Sequence, residues 1–227
     1  MSFKQFVKEL DGSRVEGELI KSVFYSLITS AIVFAILYFS RLKLIENFIP
    51  KYGFYIFFLV LSYAFIVPTI KQIRAYKQMA CMSGMMIGMT VGMMAGFLAG
   101  YLIGATNGMF MGGVFGMTVG IVLGIWMGSC CGVMGIMEGI MAGFMGGWMG
   151  AMTAVMLIAD NLKLASVIIF LVCVIILLSL NYMIYLETKE SERQKNEDQL
   201  IIIITSAVLI SITLLIMVFG PRSALFG

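Results

Sequence analysis

From residue 84 to residue 132 a glycine stands at every fourth position without a gap: Gly84, Gly88, Gly92, Gly96, Gly100, Gly104, Gly108, Gly112, Gly116, Gly120, Gly124, Gly128 and Gly132. The beat then slips by one residue and resumes at Gly135, Gly139, Gly143 and Gly147. Met, Ile, Val, Leu and Phe fill most of the gaps, and from residue 79 to residue 159 the only carboxylate is that of Glu138. In water each helical glycine costs about 1 kcal/mol against alanine, so a soluble helix could not carry this many. In lipid the backbone must stay hydrogen-bonded within the segment, and helices associate by close approach at small residues. The stretch therefore predicts a tightly packed glycine-ridge (GxxxG) core of three membrane helices.

Composition agrees. The chain is 61% hydrophobic and 12% charged, with a mean hydropathy of +1.02. This is the profile of an integral membrane protein, and at 227 residues it reads as a single membrane domain, 1–227. The net charge of +3 comes without a basic patch or base-stacking aromatics, which argues against a nucleic-acid partner. Histidine is absent, removing the usual neutral-pH acid–base group. No nucleophile triad, paired carboxylates or phosphate-cradling loop is present, so no catalytic residues and no enzyme activity are expected.

A span needs roughly 20 apolar residues. Phe3, Phe6, Val7 and Leu10 fall on one helical face, predicting an interfacial amphipathic helix over 3–10. Seven spans follow at about 19–39, 54–70, 79–105, 108–128, 132–158, 165–186 and 200–219. Pro68 lies near the end of the second, and Lys71, Arg74 and Lys77 follow it as a basic collar. Charged residues near the start (Lys4, Lys8, Glu9, Asp11, Arg14) argue against a cleaved leader. Seven spans put ten Lys and Arg on the N-terminal side against five on the other (Arg41, Lys43, Lys51, Lys163, Arg222), predicting a cytoplasmic N-terminus.

A longer repeat underlies the beat. Aligning Gly88 with Gly135 and running forward to Thr106 and Thr153 gives eight identities in nineteen positions, including a shared Met-Ala-Gly-Phe. The third and fifth spans are thus expected to be duplicates running parallel, with the fourth antiparallel to both.

Glu138 is the first candidate site. A carboxylate inside a span is costly and usually marks an ion or proton path; otherwise it is a protonated acid bonded to a neighbouring helix. The second candidate is sulfur. Cys81 opens the third span and Cys130 with Cys131 lie in the turn before the fifth, with Met82 and Met134 close by. Thiolates and thioethers are soft ligands suited to Cu(I), so copper is the one cofactor these residues suggest. Small-residue packing is the plainer account, and the one that Cys173 receives. The third candidate is a conduit of thioethers, with Met85, Met89 and Met93 on the third span and Met137, Met141, Met145 and Met149 on the fifth. Methionine as a flexible filler of glycine grooves accounts for the same spacing.

At "SGMMIGMTVGMMAGFLAG" (83–100) and "GIMEGIMAGFMGGWMGAM" (135–152) the chain resembles a loose set of uncharacterised prokaryotic Gly/Met-rich multi-pass membrane proteins, over residues 79–158. The resemblance implies a prokaryotic cell membrane and Glu138 as an acidic landmark; some of that set are associated with copper-handling modules. The leading expectation is a membrane protein that binds or moves a soft cation such as Cu(I). One alternative is a non-transport scaffold or helix-binding chaperone with a Met-lined groove. The other is an oligomeric ion or proton channel using Glu138. Expected partners are the lipid bilayer, a soft metal ion and further copies of the chain.

Overall fold

The computed structural model describes residues 17–40, 48–75, 81–158, 160–188 and 199–221. Every regular element among them is helical. In order these are α1 (Gly17–Ser40), α2 (Phe48–Ala75), α3 (Cys81–Asn107), α4 (Met109–Gly128), α5 (Gly132–Met156), α6 (Leu162–Thr188) and α7 (Gln199–Phe219), with a 3₁₀ turn, Ser129–Cys131, between α4 and α5. The interfacial helix expected over 3–10 lies outside the described residues. Five stretches are long and apolar enough to cross a membrane: Lys21–Phe39, Tyr52–Arg74, Met82–Asn107, Met109–Met156 and Leu162–Leu186. The fourth of these, 48 residues long, holds both α4 and α5, and a shorter apolar stretch covers Ile203–Phe219. The chain is an all-α protein of the membrane class.

Its contacts fall into two compact units, Met1–Ala75 with Ser191–Leu214, and Tyr76–Glu190 with Leu215–Gly227. In the second unit, α3, α4 and α5 meet where side chains are missing. A Cβ added to Gly88 would lie 2.8 Å from the Cα of Gly128, and one on Gly116 only 2.6 Å from the Cα of Gly100. These pairs run in opposite order along the two helices, so α3 and α4 are antiparallel. Gly124 against Gly139 and Gly120 against Gly143 make α4 and α5 antiparallel in the same way.

Between α3 and α5 the order is parallel. Gly92 faces Gly139, Gly96 faces Gly143, Gly100 faces Gly147 and Gly104 faces Ala151. Each pair is separated by 47 residues, which is the offset of the internal repeat read from Gly88 and Gly135. The two helices matched by that alignment therefore stand level with one another. A second small row on α5 continues the contact: Gly146 abuts the backbone of Met93, and Gly150 that of Phe97.

Both reversals of this hairpin of three helices depend on glycine. Gly108 (φ 108°) turns α3 into α4, and Gly132 (φ 68°) starts α5 after the 3₁₀ turn; such φ values suit a residue without a Cβ. Asn107 fixes the first turn by donating from Nδ2 to the carbonyl of Ile216 in α7 at 2.9 Å. Tyr101 Oη lies 2.9 Å from Ser166 Oγ and ties α3 to α6.

In the first unit α2 differs from expectation. The helix is longer than the span expected over 54–70: it runs through Pro68 to Ala75, and Pro50 lies within its first turn. Proline is tolerated in the first turn because that N–H has no intrahelical partner. Inside a membrane helix, neighbouring groups can compensate for the backbone bond that proline removes. As a result Lys71, expected in a basic collar after the span, is helical and only 6% exposed, beside a fully buried Gln72.

Gly116→Ala should destabilise the protein by about 1–3 kcal/mol, since the new methyl meets rigid backbone rather than a side chain that can turn away. Met145→Ala, at an exposed position, should stay within about 0.5 kcal/mol. Thermal unfolding in detergent checks both, and equal losses would contradict the contact described.

Candidate functional site

Glu138 lies six residues into α5, about 9 Å along the helix from Gly132. It is half-buried, at the edge between two kinds of surface. On one side, Gly135, Gly139, Ala142 and Gly146 are buried against α3 and α4. On the other, Met134, Met137, Met141 and Met145 are exposed. The register that sets Gly146 against Met93 and Gly150 against Phe97 brings Met85 of α3 level with Glu138. No hydrogen bond or ion pair reaches its carboxylate among the described residues.

The α5 methionines point away from the core. Met137 is 58% exposed, Met141 57%, Met145 55% and Met149 52%. The geometry is plain on a 100° helical step: the glycine rows occupy one side, and these methionines fall on the flank and back. On α3, Met89 is exposed while Met85 and Met93 are half-buried. The thioethers of the expected conduit thus border an outer face of α5 rather than line an enclosed core. Met127, in the last turn of α4, is the contrasting case and is buried.

The cysteines divide differently. Cys130 Sγ and Cys131 Sγ are 3.8 Å apart in the 3₁₀ turn, and Cys130 Sγ donates to the carbonyl of Met127 at 3.3 Å. Both sulfurs rest against Gly84 in the first turn of α3, where an added Cβ would strike Cys131 Sγ and come within 2.9 Å of Cys130 Sγ. Cys81 opens α3 three residues before Gly84, but its side chain lies outside the described residues. Met82 and Met134, near the same end, are exposed. Cys173 is buried in α6, away from these thiols in sequence and alone in its helix. Among the described residues, no group of three or more His, Cys, Asp or Glu comes together to hold a metal ion.

Two features of the first unit went unread in the sequence. Ser22, Ser26 and Ser30 form a buried stripe on α1, at a spacing of four, and Lys71 Nζ donates to Ser22 Oγ at 3.4 Å. The serine spacing was the available signal. An apolar cavity of about 390 Å³ also opens between α1 and α2, lined by Ala31, Phe34, Tyr38, Gly53, Ile56, Phe57 and Val60.

Compared with known proteins, the chain matches no family model, no curated protein and no solved structure. Function must therefore be argued from its own groups.

Mild oxidation of the detergent-solubilised protein should convert Met137, Met141 and Met145 to sulfoxides well before Met127, because attack follows access. Peptide mass spectrometry over a time course checks the order, and early loss of Met127 would contradict it.

Proposed function

We propose that the chain is a polytopic protein of a prokaryotic cell membrane in which α1 to α7 each cross the bilayer. The excess of Lys and Arg on one side favours a cytoplasmic N-terminus. In this reading the glycine contacts of α3, α4 and α5 make a rigid ridge core, and its task is to hold the outer face of α5 as a docking surface. The protein then acts as a scaffold or chaperone for other membrane helices, rather than as a channel through its own core.

One observation carries this reading: an acid with no partner among the described residues, set in a stripe of exposed methionines on a membrane helix. A carboxylate facing acyl chains is costly, so Glu138 calls for a donor from another helix. Methionine suits such a surface because its flexible, polarisable side chain repacks around varied apolar clients. Outward thioethers favour docking over passage between them.

Labelled protein in liposomes is tested by energy transfer against single-span Leu/Ala peptides carrying one central Lys. Peptides should bind, and Glu138→Ala should weaken binding several-fold, by about 1 kcal/mol, in the range of polar contacts between membrane helices. Replacing Met141, Met145 and Met149 together with Ala should weaken it further. Equal binding by all three proteins would sink the docking reading, and energy transfer between labelled protein molecules instead would redirect it to a homo-oligomer.

A second reading, binding or movement of a soft cation such as Cu(I), is favoured by the paired sulfurs at Gly84 rather than by the methionines. Uptake of Cu(I) into liposomes, lost in the Cys130→Ser/Cys131→Ser variant, would support movement. Equal uptake by the two proteins would remove it.

A further inference from the structure

The turn between α4 and α5 holds two thiols on adjacent residues, and the fold aims both at one point. A 3₁₀ turn rather than a regular loop carries them, which brings Cys130 Sγ and Cys131 Sγ to 3.8 Å. The register of the repeat puts Cys131 opposite Gly84, as it puts Gly139 opposite Gly92, since both pairs are 47 residues apart. Cys131 therefore stands where the small row of α5, continued one turn back from Gly135, would carry another small residue. Space for the sulfurs exists only because position 84 has no Cβ: one built there would collide with Cys131 Sγ and crowd Cys130 Sγ.

We propose that Cys130 and Cys131 form a two-sulfur site for a thiophilic cation, seated on the first turn of α3 and held open by Gly84. Two sulfurs 3.8 Å apart, each at ~2.3 Å from a shared ion, subtend about 110° at it. That angle is a chelate angle, bent well away from a linear arrangement, so further coordination positions remain open to an incoming ligand. Cys130 is exposed, which gives an ion a way in and out. Soft thiolate sulfur selects Cu(I) and similar ions over Mg²⁺ or Ca²⁺. Binding exchanges two thiol protons for the cation, with no change of oxidation state and no co-reactant. The positive end of the α3 dipole lies at the same place and favours the negative charge of a dithiolate complex. The assignment deepens the soft-cation reading by naming its site, and is independent of helix docking on α5.

The test uses the reduced, full-length protein in detergent, titrated with Cu(I) against a chromophoric Cu(I) chelator. A parallel sample takes phenylarsine oxide, a trivalent arsenical that bridges paired thiols, with intact mass as the readout. Wild type should withhold one Cu(I) per chain and gain one arsenical. Cys130→Ser/Cys131→Ser should lose both, and Cys173→Ser neither. Gly84→Ala keeps both thiols but fills their space, and should weaken Cu(I) binding by roughly ten-fold or more, as loss of support around a metal site does. Circular dichroism and elution volume establish that each variant is folded. The site is overturned if the double variant or Gly84→Ala binds Cu(I) as wild type does. It is equally overturned if wild type takes up no arsenical, a result that requires no variant to fold. Binding without liposome uptake would leave the site standing and remove only transport.

Discussion

Backbone-to-backbone contact at glycine governs the second unit. Where Gly100, Gly116 and Gly147 meet, no side chain separates the helices, so carbonyls and Cα atoms supply the packing surface directly. In lipid this close fit replaces the expulsion of water that assembles a soluble core. Each helix presents glycine to two neighbours at once, because a period of four residues drifts about 40° per step around a helix of 3.6 residues per turn. One winding row can thereby serve both the antiparallel and the parallel contact. Larger residues are displaced to the outside, and that displacement puts the α5 methionines where they are.

Much of this was legible in the residues. The breaks expected between the spans 79–105, 108–128 and 132–158 fall within a few residues of those between α3, α4 and α5. The offset of the Gly88/Gly135 alignment is also the register in which α3 and α5 touch. A shared offset follows naturally when two similar small faces pack level, because the match that aligns the sequences is the match that aligns the glycines.

Other features could not be read from pattern alone. Pro68 and Lys71 look like the end of a span, yet tertiary packing carries α2 through both and buries the lysine next to Ser22. Methionine was the harder case. Gly and Met share the period of four, so spacing is compatible with thioethers facing inward or outward; only the direction in which the glycine rows are consumed decides. For the candidate site, the approach of the two sulfurs to Gly84 went unread in the sequence: Cys131 stands there in the 47-residue register of the α3–α5 contact, and the separation of the sulfurs depends on the 3₁₀ turn.

A strictly periodic seam has a further consequence. Sliding α3 by four residues past α4, close to 6 Å at ~1.5 Å per residue, would bring glycine opposite glycine again over most of the length. The seam by itself is a ratchet with nearly equivalent teeth. The irregular groups break that degeneracy: Trp148 lodged on Gly113, Tyr101 on Ser166, Asn107 on Ile216, and the two sulfurs on Gly84. They act as detents, selecting one notch from several that the glycines alone would accept.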